Sequence, residues 1–258
     1  MPPVGQFSSS PMTFLTRLSA IATLLFASAC SADSPLAPTP ATTNQPTIPA
    51  APAAIALVSG NDQHGKAGEP LAEPLAVRVT DANGSGLSGV AVLFGIASGA
   101  GAFGGSCNPN SPMPVRSSQT DQDGIARMTF LPTVLGRTTV TAHVAGRQDA
   151  SVTFTVEATV LVIEFWFGYW NVGFVAPCSL SSDVSVSVGS MVEWKIPVTD
   201  ERYPVTYTVT SMSAPPGAKG FDSGILTSRD RFRFVPSVTG TWEYRDQVTG
   251  LTGTLSAR

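Results

Sequence analysis

Apolar residues recur at every second position through most of this chain. Leu75, Val77 and Val79 alternate with polar or small neighbours, as do Val90, Val92, Phe94 and Ile96. The same rhythm returns at Ala126, Met128 and Phe130, at Val140, Ala142 and Val144, and at Val152, Phe154 and Val156. Successive side chains of a strand point to opposite faces, so each set lies on one face of a sheet, where a second sheet can bury it. Val186, Val188, Val192, Trp194, Val209, Phe234 and Trp242 extend the pattern toward the C-terminus. Beyond the first thirty residues no window repeats the i, i+3, i+4, i+7 spacing of a helix. The pattern predicts an all-β protein. Asp81-Ala-Asn-Gly84 and Asp121-Gln-Asp-Gly124 fall between strands and read as turns, because Asx side chains bond nearby backbone and Gly supplies positive φ. Residues 97–116 read as a long loop.

The pattern breaks at the N-terminal end. Met12 to Cys30 has a positive Arg17, a short apolar run from Leu18 to Phe26, and small residues Ala27, Ser28 and Ala29. This is the layout of a secretory leader, too short to span a bilayer as a retained helix. Either Met1 or Met12 serves as the start. The Cys after the small residues resembles a bacterial lipobox, which implies that Cys30 is diacylated and begins the mature chain; Ser31 beside it implies the outer membrane. Ordinary secretory cleavage at Ala29 is the alternative. Ser31 to Ala54 is Pro-, Ala- and Thr-rich with almost no charge. Such a stretch cannot bury enough apolar surface to order itself, and it reads as a tether reaching roughly 70 Å.

Composition fits this picture. The chain has 258 residues, 43% of them hydrophobic, with 24 Gly and 21 Pro, which suits many short strands and turns. That length accommodates a leader, a tether and two domains of about 100 residues. Charged residues make up 13% and the net charge is −3, so no footprint for nucleic acid exists.

Residues 54–158 resemble the bacterial Ig-like domain of the invasin and intimin type. The resemblance rests on V-S-G-N-D-Q at Val58 to Gln63, P-L-A-V-R-V-T-D-A-N-G at Pro74 to Gly84, T-D-Q-D-G-I-A at Thr120 to Ala126, and T-V-T-A-H-V-A-G from Thr139. Asp121 and Asp123 suggest a calcium site, but too few carboxylates follow to complete six to eight oxygen ligands. His64 and His143, the two histidines of the chain, have no Ser or Cys partner in a recognisable motif.

Residues 159–258 resemble a cupredoxin. V-S-V-S-V-G-S-M-V-E-W at Val184 to Trp194 matches the family's entry hairpin with Gly189 at its turn, and Y-T-V-T-S at Tyr207 to Ser211 matches its first-ligand strand. G-T-W-E-Y-R-D-Q-V-T-G-L-T-G at Gly240 to Gly253 matches its last strand and ligand loop. The family holds copper with two His, a Cys and a Met. Here Tyr207 stands at the first His, Asp246 at the Cys, Thr249 at the second His and Leu251 at the Met. The resemblance therefore implies the fold without its metal site or any other cofactor, and Tyr207 is expected to point inward and fill the vacated space.

Two features remain. Phe165, Trp166, Phe167, Tyr169, Trp170 and Phe174 crowd into ten residues, too many for one face of one strand, and form either core and inter-domain packing or a platform for sugar or protein. With Cys30 acylated, Cys107 and Cys178 are the thiols left in an oxidising compartment, and a disulfide between them is expected. No nucleophile elbow, paired His and carboxylate, or phosphate loop points to an enzyme. The reading is a leader (1–29), a tether (30–53), an Ig-like domain (54–158) and a cupredoxin-like domain (159–258). The expected protein is a non-enzymatic lipoprotein of the bacterial cell envelope, held to the outer membrane by its lipid and presenting two sandwiches for adhesion, binding or scaffolding. A glycan-binding module built on the aromatic run is the alternative. A periplasmic copper or electron-transfer protein is a third reading, which the missing ligands oppose.

Overall fold

The computed structural model describes residues 51–105, 114–167, 172–175, 182–196 and 206–258, with 166–167 and 172–175 as backbone only. The described elements are all strands. The first module holds β1 (Ala54–Ser59), β2 (Gln63–Ala67), β3 (Leu75–Thr80), β4 (Ala91–Ser98), β5 (Gly101–Phe103), β6 (Val115–Gln119), β7 (Ile125–Met128), β8 (Phe130–Pro132) and β9 (Gly136–Val144). β10 (Arg147–Phe167) runs from the first module into the second. There follow β11 (Val172–Val175), β12 (Asp183–Val186), β13 (Met191–Lys195), β14 (Thr210–Ser211), β15 (Arg231–Phe234), β16 (Gly240–Arg245) and β17 (Thr252–Ala257).

Two cores result. In the first, Leu75, Val77 and Val79 from the sheet β1-β3-β7 meet Val92, Phe94, Val140, Ala142, Phe154 and Val156 from β4, β9 and β10. In the second, Val184, Val186, Trp242, Tyr244 and Leu255 from the sheet β12-β17-β16-β14 meet Ile163, Phe165, Val192 and Trp194 from β10 and β13. Each core fills with residues whose alternation is visible in the sequence, because one parity of each strand faces the partner sheet.

The turns at Asp81 and Asp121 form as expected, and they pack on one another. The Asp81 carboxylate accepts from the amides of Asn83 and Ser85, and that of Asp121 accepts from Asp123 and Ile125. A Cβ on Gly86 would lie 2.3 Å from the Asp123 carbonyl oxygen. With Asp121 already committed to backbone amides and to Arg127 at 2.5 Å, these carboxylates serve as turn caps.

Three expectations need correction. The stretch 97–116 is not simply a loop: it contains β5, paired with β8, and the first two residues of β6. The expected hairpin around Gly189 is a corner instead, since β12 pairs with β17 in one sheet and β13 with β10 and β15 in the other. Val188, expected in the core, is exposed where the chain turns that corner.

β10 spans 21 residues and joins both sandwiches. At Val156–Ala158 it pairs with β2 on one edge and β9 on the other; at Val160–Leu161 it pairs with β2 and β13. β13 therefore takes over the edge that β9 leaves. Between Ala158 and Val160 the register against β2 slips, with Thr159 as the extra residue of a bulge. Inward residues before it are even-numbered (Phe154, Val156), and those after it are odd-numbered (Leu161, Ile163, Phe165).

Candidate functional site

Tyr207, the residue at the first-ligand position, is fully buried. Its backbone exchanges two hydrogen bonds with Leu226, at 2.9 and 2.7 Å, which fixes the strand so that the ring faces the core. The ring lies 3.6 Å, centroid to centroid, from Phe165. Burial raises the phenol pKa above its ordinary value, and the charge of Asp246 adds to the effect. Among the described residues its hydroxyl has no hydrogen-bond partner.

Asp246, at the thiolate position, is also fully buried. One carboxylate oxygen accepts from the Thr208 amide at 2.8 Å, the Thr208 hydroxyl at 3.2 Å and the Val248 amide at 3.1 Å. The other accepts from the Thr249 amide at 3.2 Å and the Thr249 hydroxyl at 2.5 Å. The Asp246 amide donates to the Leu251 carbonyl, and Gly250 donates back to the Asp246 carbonyl. One side chain thus ties the segment at Thr208 to the loop 246–251. Thr249 and Leu251 are brought to the same place, Thr249 as a donor to Asp246 and Leu251 as a partly buried residue against the second core.

This donor set does not fit copper of the blue type, which needs a thiolate between imidazoles. Both histidines belong to the first module, and the Asp246 oxygens are occupied by five donors. A carboxylate holds the loop here.

Of the aromatic run, Phe165 is buried in the second core and packs on Tyr207, so it cannot belong to an exposed platform. β10 and β11 form an antiparallel hairpin that places Phe165 opposite Phe174 and Trp166 opposite Gly173. The side chains of Trp166, Phe167 and Phe174, and residues Tyr169 and Trp170, lie outside the described residues, as do Cys30, Cys107 and Cys178.

Sequence reasoning missed a charged cluster where the modules meet. Glu193 on β13 has no exposed surface, yet it carries a carboxylate. Lys66 on β2 donates to it at 2.7 Å, Arg233 on β15 at 2.7 Å, and Arg231 also pairs with it. Glu69 accepts from Arg231 at 2.9 Å and lies 3.3 Å from Lys195. Burial alone would push the Glu193 carboxyl upward, but hydrogen bonds from Lys66, Arg233 and Arg231 outweigh it and hold the pKa at about 2. Glu69 is likewise held below the ordinary range by Arg231 and Lys195, against its own burial. The signal was present in V-E-W-K and R-F-R-F, whose alternation puts Glu193 opposite Arg233 across β13 and β15. Lys66 could not be foreseen, because only the pairing of β2 with β10 brings it there.

Residues 61–157 match the family model of the bacterial Ig-like domain (group 1). No curated protein matches the chain. Among solved structures, a purple cupredoxin from Nitrosopumilus maritimus is 17% identical, with 39% of this chain and 99% of that one covered and a TM-score of 0.29. A structure of auracyanin B is 10% identical over 38% of this chain and 88% of that one, with a TM-score of 0.27. A Cu-containing nitrite reductase from Thermus scotoductus SA-01 is 13% identical over 76% of this chain and 59% of that one, with a TM-score of 0.26.

Proposed function

We propose that this chain, whose residues 61–157 form a bacterial Ig-like domain, is a non-enzymatic lipoprotein of the cell envelope that presents two β-sandwiches for adhesion or scaffolding. The observation that carries the reading is the Ig-like match itself, placed directly after a lipobox-like Cys30 and a Pro-rich tether. The polarity of the fold supports it. The Pro52 carbonyl accepts from Arg147 at the start of β10, whereas the second module surrounds the end of that strand. At about 3.3 Å per residue, the 21 residues of β10 run roughly 66 Å from first to last, from the first module into the second. That module works without copper in this reading, as a binding or spacing unit.

Metabolic labelling with radioactive palmitate in a bacterial host tests the anchor. The wild type is labelled and sediments with the envelope, and Cys30→Ala is neither. Unlabelled wild-type protein in the soluble fraction overturns the proposal. Titration with Cu(I) and Cu(II) tests the second module, with stoichiometric binding and a band near ~600 nm, the hallmark of a copper–thiolate centre, as the contrary result.

A further inference from the structure

We infer that the two sandwiches are one cooperative folding unit, pinned by Glu193, and not two modules on a hinge. The proposal stands on the junction alone and does not depend on anchoring or adhesion. Three observations carry it.

The second core is incomplete without the first module. Ala67 from β2 and Ala158 lie buried within it, and Leu135, from the turn before β9, packs against it. A module cut at 158/159 would lose these, together with the pairing of Leu161 with Ala67. Backbone hydrogen bonding is also shared. β2, threaded through the first module, pairs with β10 from Val156 to Leu161, across the bulge at Thr159. Removing it would free a strand edge in the middle of the molecule, and buried amides there would lose their partners.

The charges supply the third observation. Glu193 is a fully buried carboxylate whose cations come from both modules, Lys66 from the first and Arg231 and Arg233 from the second. Glu69 of the first module reaches Arg231 and Lys195 of the second. A buried carboxylate depends on its partners, so moving the modules apart would take Lys66 from Glu193 and Glu69 from Arg231, leaving Glu193 with Arg231 and Arg233 alone. Opening the junction and unfolding the second module are therefore the same event.

All four tryptophans lie beyond residue 158, so intrinsic fluorescence reports the second module alone. Hydrogen exchange of peptides covering β3 and β7, read by mass spectrometry, reports the first. Urea unfolding of the full chain followed by both probes should give one superimposable transition. Glu193→Gln should lower the folding equilibrium constant by about 100-fold in both probes together. Lys66→Met, placed in the first module and partly exposed, should lower it by about 5- to 10-fold, again equally in both probes. Transitions that do not coincide in the wild type overturn the proposal, as does a Lys66→Met shift confined to one probe. If Glu193→Gln does not fold, the wild type and Lys66→Met decide.

Discussion

Asp246 shows how one buried side chain can hold a loop. Its carboxylate accepts five hydrogen bonds from Thr208, Val248 and Thr249. Asp246→Ala leaves three amides, that of Thr208 buried, without their acceptor, and we expect a loss of about 3 kcal/mol in urea unfolding. Asp246→Asn keeps one acceptor oxygen and should lose about 1–2 kcal/mol. Glu193 makes a second prediction, in pH. Its folded pKa of about 2 lies below the ordinary 4.5, so the folded state favours the ionised form. Its contribution is complete above pH 4.5 and disappears as pH falls toward 2. Urea midpoints measured across that window should fall in the wild type, and part of the fall should vanish in Glu193→Gln. The sequence displays an acidic residue at 246. It does not display the hydrogen bonds, which depend on Thr208, 38 residues away.

Among the strands and turns, legibility follows whether the information is local. Alternation marks the buried faces of β3, β4, β7 and β9 correctly, since parity is a property of the strand itself. Pairing is not local, and the corner at Gly189 reads as a hairpin until the partners β10 and β17 are known. β10 is the instructive case. Inward parity changes from even to odd across Thr159, which in the sequence looks like the end of one strand and the start of another. The structure shows one strand with a bulge. The two Asp turns provide this scale's prediction. Gly124 has φ of 79°, and a Cβ there would lie 2.5 Å from the Val79 carbonyl oxygen and 2.7 Å from the Gly86 Cα. Gly124→Ala and Gly86→Ala should each destabilise by about 2–3 kcal/mol in thermal or urea unfolding, well above the effect of a surface Gly. Gly84, with a similar φ but open space around it, should tolerate Ala at about 1 kcal/mol.

For the molecule as a whole, proteolysis distinguishes a beaded chain from a continuous one. Native protein treated with proteinase K should keep the bond between Ala158 and Thr159 intact. That bond lies inside β10, with β2 on one edge and β9 handing over to β13 on the other. A cut there under native conditions would show that the bulge opens. The shared strand also bears on tension, which any anchored protein meets when its far end is held. A pull between Pro52 and the distal end of the second module runs along β10. The hydrogen bonds of β10 to β9 and β13 lie across that axis, so the load shears them side by side instead of unzipping them one after another. Extension then has to break a whole row of bonds at once, and the handover from β9 to β13 between Ala158 and Val160, where that row is interrupted, is where the strand would yield.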